Sequence, residues 1–242
     1  MIRLVCSSDA PWLRDLLGTA PFFAAEMEAS WTMREHLFRV GDEAVLLLRG
    51  GFALLYGRVQ DTEEMESFLH FQKVLCVQSS GWVPNGFQAR EQWVLKHWPQ
   101  NVPALEKPSG YDLEREPVLY RAARACITPD VTDTPPDEWA ARACVRRNRC
   151  GGQMLALKKG EEYAALAGIF ASTSEQAYLA GVVTAGAHRG KGCASYLVDC
   201  LAREQERAGK AVFLVCENDK TAFYGRLGFE KEMRIVESRK TE

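Results

Sequence analysis

The chain has 242 residues, of which 47% are hydrophobic and 26% are charged. These are ordinary values for a globular protein, and they exclude a disordered or collagen-like chain. Lysine and arginine number 30 against 32 aspartates and glutamates, for a formal net charge of -2. This balance argues against a dedicated nucleic-acid-binding protein, which usually carries a basic excess.

Eight cysteines are spread along the sequence without a C-x-x-C pair or the Cys and His spacing of a zinc site, so no metal is expected. The residues after Met1 lack the unbroken apolar run of a signal peptide. No stretch reaches the roughly 18 apolar residues of a membrane span. We therefore expect a cytoplasmic protein with free thiols and no association with membranes.

The first part of the chain predicts a strand, a second strand, a helix and a third strand, at 44–48, 52–56, 62–73 and 74–77. Gly50 and Gly51 separate the first two apolar runs, which predicts a hairpin. Asp61 can accept backbone N–H groups at the start of the helix. Further on, Trp93 and His97 stand at helical spacing, which is typical of packing residues rather than of a ligand cage.

Proline-rich stretches divide the sequence. Residues 99–117 contain four prolines and little apolar periodicity, which predicts a linker. A second such stretch runs from 128 to 136, and 118–120 between them suggests a short strand. We place the boundary near residue 115, which gives domains 1–114 and 115–242.

The second part predicts a helix over 135–147 and strands at 153–158, 163–170 and 178–183. The next helix begins near Gly192, because Ala194, Leu197, Val198 and Leu201 follow helical spacing. A strand over 212–216, a short helix over 221–227 and a strand over 232–237 complete the chain. The order strand, strand, helix, strand occurs at 44–77 and again at 163–216, which suggests two related halves.

A glycine-rich basic loop joins the strand ending at Thr184 to the helix beginning near Gly192. The first turn of a helix has unpaired N–H groups and the positive end of the dipole, so this arrangement suits a phosphate. It is not a P-loop, because Gly192 rather than Ser or Thr follows Lys191. It is not a dinucleotide fingerprint either, because Ser195 stands where the third glycine is needed. A tight turn with two solvated basic residues remains the simpler alternative.

A third pattern matches this loop. Arg189-Gly190-Lys191-Gly192-Cys193-Ala194 fits [Q/R]-x-x-G-x-[G/A], and 217–229 has an Asn after a strand and a short helix ending F-Y-x-x-x-G-F. Together the two segments resemble the GNAT superfamily of N-acetyltransferases, over about 135–238, and its FR47-like branch in particular. The resemblance implies an α/β (α+β) fold with a mixed, mostly antiparallel sheet flanked by helices. It allows two GNAT-like halves, of which the first is degenerate.

The resemblance also implies that acetyl-CoA is the cosubstrate. The backbone of Val182, Val183 and Thr184 would pair with the pantetheine arm and acetyl group, with an oxyanion donor near Val183. Asn218 would contact the CoA arm, and Tyr224 would be the general acid that protonates the leaving thiolate. The pyrophosphate would be held by Arg189, Gly190, Lys191, Gly192, Cys193, Ala194 and Ser195.

The expected activity is N-acetyl transfer to a small-molecule or peptide amine, by direct attack in a ternary complex. No paired glycines follow Tyr56, so one cofactor site is expected, in the second half. A non-catalytic CoA-binding regulatory or scaffold protein is the main alternative. A nucleic-acid-associated protein that uses Arg146–Arg149 is another, although a solvated helix end is the simpler interpretation of those residues. His188 is interpreted as a solvated loop residue, and neither the general base nor the oligomeric state is predicted.

Overall fold

The computed structural model describes residues 1–32, 36–99, 102–130, 132 and 134–241. The described strands are β1 (Ile2–Leu4), β2 (His36–Val40), β3 (Ala44–Arg49), β4 (Phe52–Gly57), β5 (Cys76–Ser79), β6 (Phe87–His97), β7 (Asp112–Glu114), β8 (Gln153–Lys159), β9 (Glu162–Ser172), β10 (Gln176–Thr184), β11 (Ala211–Glu217) and β12 (Phe229–Lys240). The described α-helices are α1 (Ala10–Leu17), α2 (Pro21–Thr32), α3 (Thr62–Phe71), α4 (Leu119–Cys126), α5 (Pro136–Arg149), α6 (Cys193–Arg207) and α7 (Thr221–Gly225).

The chain divides into two compact units. Residues 1–95, 215–221 and 231–242 form the first, and residues 96–214 and 222–230 form the second. The predicted boundary near residue 115 concerns two related halves of the sequence, and it stays a proposal. The linker predicted before that boundary groups with the second unit.

The first unit orders its strands β1-β2-β3-β4-β5-β12-β6. Neighbours from β1 to β4 are antiparallel, β4 and β5 are parallel, and β5 and β12 are antiparallel. Helix α3 covers this sheet with Met65 and Leu69, which are buried together with Leu46 and Leu55. The helix begins where it was predicted, because the Asp61 carboxylate accepts the backbone N–H of Glu64 at 2.9 Å.

The second unit orders its strands β11-β10-β9-β8-β7. The β10–β11 pair is parallel and the other pairs are antiparallel. Helices α4 and α5 pack on β9, with Leu119, Ala123 and Ala143 in one apolar cluster with Leu166. Helix α6 lies along β8, β9 and β10. The predicted fold class, a mixed and mostly antiparallel sheet flanked by helices, is confirmed.

One local prediction is wrong. The strand predicted at 118–120 is the beginning of helix α4, whose buried positions Leu119, Ala122, Ala123 and Cys126 follow helical spacing. The apolar residues 118–120 resemble a strand when they are considered without the alanines that follow. Trp93 and His97, which were interpreted as packing residues, lie in strand β6, and His97 is buried.

Candidate functional site

Strand β10 is hydrogen-bonded to β11 only along its first residues. The parallel register ends with Tyr178 opposite Phe213, whereas the antiparallel register with β9 continues to Thr184 opposite Ala165. In this register, residues 179–184 of the described strand are paired along one edge alone. An open strand edge of this kind presents backbone donors and acceptors to an extended ligand.

A β-bulge bends β10 where its edge opens. Ala180 pairs with Gly168 and Val183 with Leu166, so Gly181 and Val182 together face one residue of β9. Gly181 has a φ of +65°, and a Cβ there would lie 2.8 Å from ring atoms of both Trp139 and Phe170. The bend therefore requires glycine, for its left-handed backbone and for its lack of a side chain.

The direction of the backbone amides follows from the register. The Ala185 N–H donates to the Ala164 carbonyl at 2.9 Å. Because successive residues of a strand point to alternate edges, Val183 is hydrogen-bonded to β9 and Thr184 faces the open edge. The Arg189 Nε donates to the Thr184 carbonyl at 3.3 Å, which fits this direction. The backbone of Val183 is thus engaged within the sheet, whereas the Thr184 N–H faces the opening and the Thr184 carbonyl accepts Arg189 there.

The glycine-rich loop leads directly into helix α6. Gly192 precedes the helix with a φ of +78°, and no side chain caps the helix start. The first turn, which begins with Cys193, Ala194 and Ser195, contains no acidic residue. Its N–H groups have no acceptor within the helix, so they form a positive site for an anion. Gly190, also with positive φ, lies exposed before it.

Two basic side chains lie on this loop and fold back onto it. The Lys191 Nζ donates to the Ala187 carbonyl at 2.8 Å. The Arg189 guanidinium pairs with the Asp130 carboxylate at 2.7 Å, and both side chains are about half exposed. The Thr128 hydroxyl and then the Arg189 guanidinium hold the pKa of Asp130 below its ordinary value. Arg189 is therefore kept beside the helix start by an acid that an incoming anion would displace.

The inner face of the loop is buried. His188 is 5% exposed, and its Nδ1 lies 3.0 Å from the Tyr111 hydroxyl, with the two rings at 80°. The prediction that His188 is a solvated loop residue is therefore wrong. Burial is also the main reason that the pKa values of the Cys193 thiol and the Tyr111 hydroxyl are raised. The contact with Tyr111 and the charge of Lys191 lower the pKa of the Cys193 thiol, but by less than desolvation raises it.

Tyr224 is half-buried in the short helix α7. Its ring lies 4.9 Å from the Phe223 ring and 5.9 Å from the Phe229 ring, at 77° and 70°. Its carbonyl accepts the Leu227 N–H at 2.9 Å, which closes the turn after the helix. The ring is thus oriented by edge contacts with two other aromatic residues.

Asn218 belongs to the first unit and follows strand β11. Its side-chain oxygen accepts the Lys231 Nζ at 3.1 Å, and its carbonyl accepts the Thr221 hydroxyl at 2.8 Å. The neighbouring Glu217 pairs with Arg90 at 2.6 Å. The contact of Asn218 with the CoA arm stays a prediction.

One residue without a predicted role lies at the centre of a buried contact. The His97 side chain is fully buried, with Nδ1 2.6 Å from Glu206 Oε1 and Nε2 2.9 Å from the Leu227 carbonyl. The sequence contains no local signal for this arrangement. The partners of His97 lie more than a hundred positions away along the chain.

The described part of the chain contains no helix that is long and apolar enough to cross a membrane. No group of three His, Cys, Asp or Glu side chains among the described residues is arranged to hold a metal ion. All eight cysteines are free thiols.

Comparison with solved structures relates the fold of nearly the whole chain to known proteins. A GCN5-related N-acetyltransferase from Sphaerobacter thermophilus has 18% identity and a TM-score of 0.62, with 99% of this chain and 95% of that chain covered. A Drosophila protein has 12% identity and a TM-score of 0.67, with 99% and 98% covered. A tandem GNAT protein from the clavulanic acid biosynthesis pathway has 14% identity and a TM-score of 0.62, with 98% and 97% covered. The tandem protein supports the expectation of two GNAT-like halves.

Comparison of the sequence with known protein families gives a match in the second half of the chain. No curated protein sequence matches the chain. The model of the acetyltransferase (GNAT) family matches residues 117–229, which contain β10, the glycine-rich loop, α6 and Tyr224. Residues 117–229 therefore match a GNAT acetyltransferase domain.

Proposed function

We propose that this protein transfers the acetyl group of acetyl-CoA to an amine acceptor, by direct attack within a ternary complex. The observation that carries the proposal is the open edge of β10 beside the uncapped start of α6. The first can pair with an amide-containing arm, and the second can hold a pyrophosphate. Both lie in the second unit, a short loop apart.

Each part of the cofactor has a proposed partner. The pantetheine arm pairs with the backbone of Thr184 and of Val182, which stands in the bulge. The pyrophosphate accepts N–H groups of the loop and of the first helical turn, from Gly190 to Ser195. Arg189 and Lys191 add positive charge at the same point. These N–H groups and positive side chains, gathered at one loop, explain why a chain with a net charge of -2 can hold an anionic cofactor.

The reaction needs an oxyanion site and a proton donor. The acceptor amine attacks the thioester carbonyl carbon, a C–N bond forms, and a backbone N–H at the open edge of β10 stabilises the oxyanion. The C–S bond then breaks, and the proton that the amine nitrogen loses passes to solvent. A thiol has a pKa of about 8.5, so protonation by the Tyr224 hydroxyl assists departure of the sulfur.

The features of the first unit disfavour a second cofactor site there, which supports the proposal of a single site per chain. Its parallel strands β4 and β5 stay paired up to Leu55 opposite Ser79. Just beyond, the Gly57 N–H donates to the Ser80 hydroxyl at 3.4 Å. The start of α3 is capped by Asp61 and carries two more acids in its first turn, which disfavours a phosphate there.

Two measurements test the cofactor and the chemistry. Acetyl-CoA binding is expected to raise the melting temperature, because a ligand that binds only the folded state stabilises it. A screen of amines in a thiol-release assay identifies the acceptor. No thermal shift at millimolar acetyl-CoA would overturn the proposal. Binding without transfer to any amine would instead favour the non-catalytic alternative.

Replacement of Tyr224 by Phe tests the general acid. We expect Tyr224→Phe to lower kcat by about 10²–10⁴-fold while the affinity for acetyl-CoA is retained, because only the proton donor is lost. Tyr120→Phe is the matched control, since Tyr120 lies exposed on α4 with its ring against Arg124. Unchanged transfer by Tyr224→Phe would exclude the acid role.

A further inference from the structure

We propose that His97 is a positioning residue for Tyr224. The inference rests on the proposed function, because it assigns a role in that reaction to a side chain far from Tyr224 in the sequence. His97, Glu206, Tyr224, Leu227 and Phe229 all belong to the second unit.

Both nitrogens of the His97 ring have partners. Nδ1 lies 2.6 Å from a carboxylate oxygen of Glu206, and Nε2 lies 2.9 Å from the Leu227 carbonyl oxygen. Because a carbonyl oxygen can only accept a hydrogen bond, Nε2 carries the proton of the second contact and donates it to Leu227. The contact with Glu206 holds the other side of the buried ring and fixes its orientation.

The His97 ring is connected to Tyr224 through the turn that follows helix α7. His97 holds the Leu227 carbonyl, and the Leu227 N–H donates to the Tyr224 carbonyl at 2.9 Å. The next residue reinforces this contact, because the Trp98 N–H donates to the Gly228 carbonyl at 2.8 Å. Residues 97 and 98 therefore donate hydrogen bonds to two successive carbonyls of the turn, those of Leu227 and Gly228.

A second route passes through the aromatic rings. The His97 ring lies 4.6 Å from the Phe229 ring, at 51°. The Phe229 ring lies in turn 5.9 Å from the Tyr224 ring, at 70°. The backbone of Tyr224 and its ring are thus both fixed from His97. A general acid needs this fixation, since a displacement of about 1 Å at a reacting group can lower the rate about 10²-fold.

The test compares His97→Gln with Arg203→Gln. Arg203 also anchors α6, through part-buried hydrogen bonds to Asp199 at 2.7 Å and to the Val102 carbonyl at 2.8 Å, and none of its described hydrogen bonds reaches residues 224–228. We expect both variants to lower the melting temperature. His97→Gln should also lower kcat roughly 10- to 100-fold, with the KM for acetyl-CoA little changed. An equal effect of the two variants on kcat would overturn the inference.

The double variant His97→Gln/Tyr224→Phe separates this inference from the proposed function. If His97 acts through Tyr224, the double variant has the kcat of Tyr224→Phe alone. If Tyr224→Phe leaves kcat unchanged, the proposed acid role fails. If Tyr224→Phe lowers kcat and the two effects multiply, the acid role stands and the His97 inference fails.

A spectroscopic measurement is independent of activity. In the folded protein, ¹⁵N NMR should assign a proton to Nε2 of His97, the nitrogen that donates to the Leu227 carbonyl. An unprotonated Nε2 would overturn the inference even if His97→Gln were inactive.

Discussion

Arg189 already has two partners, the Thr184 carbonyl and the Asp130 carboxylate, before any anion reaches the loop. The pair with Asp130 competes with a pyrophosphate for the same guanidinium. Both side chains of the pair are about half exposed, so the competition is weak. Exposed pairs of this kind contribute about 0–1 kcal/mol.

Replacement of Asp130 by Asn should therefore strengthen cofactor binding. We expect Asp130→Asn to lower the Kd for acetyl-CoA by about 2- to 5-fold, because Arg189 no longer has to leave a carboxylate. Asp137→Asn is the control, since it removes the same charge from an equally exposed ion pair, with Arg124. Calorimetric titration of both variants measures the difference. An equal gain for both would show a general effect of net charge.

Local sequence patterns predicted the backbone of the loop but not its buried contacts. The glycines and the basic residues from 189 to 192 are contiguous, so their arrangement could be interpreted from spacing alone. His188 and His97 could not be interpreted in this way. Their partners, Tyr111 and Glu206, are 77 and 109 positions distant along the chain. No local pattern predicts that these two histidines will be buried against distant hydrogen-bonding partners.

Most strands and helices were predictable because each has its own periodicity or boundary residue. Helix α6 shows the helical spacing of apolar residues, and α3 begins at its Asp61 cap. The bulge in β10 is different, since the sequence 180–184 resembles a regular buried strand. Only the packing of Trp139 and Phe170 against Gly181 shows why a bend is placed there.

Replacement of Gly181 by Ala tests the bulge. The positive φ should destabilise an alanine by about 1–2 kcal/mol, and the contacts with Trp139 and Phe170 should add ~1–3 kcal/mol of overpacking. Gly160→Ala is the control, because Gly160 has a φ of +61° with nothing within 4 Å of its added Cβ. Urea unfolding of both variants measures the difference. Equal losses would mean that the rings move aside freely and do not fix the bend.

The two units contain the same succession of strands and helix, but they differ at the end of the parallel strand pair and at the start of the helix. In the second, the parallel pair separates after Tyr178 and the helix start is uncapped. In the first, the parallel pair stays joined to Ser79 and the helix start is acidic. The first unit therefore lacks both features that we propose for cofactor binding, an open edge after the parallel pair and an uncapped helix start.

Hydrogen–deuterium exchange of the whole chain tests whether there is one cofactor site. With acetyl-CoA at about 100 times its Kd, the folded state gains about 2.7 kcal/mol. Amides that the ligand covers should be slowed most. We expect slowed exchange in peptides covering 176–195, from β10 to the first turn of α6, and unchanged exchange in peptides covering 52–71, from β4 to α3. Direct titration should give one molecule per chain, and Arg189→Ala should weaken the protection of 176–195. Comparable protection of 52–71 with two molecules bound would mean that the first unit also holds the cofactor, despite the acids that begin α3.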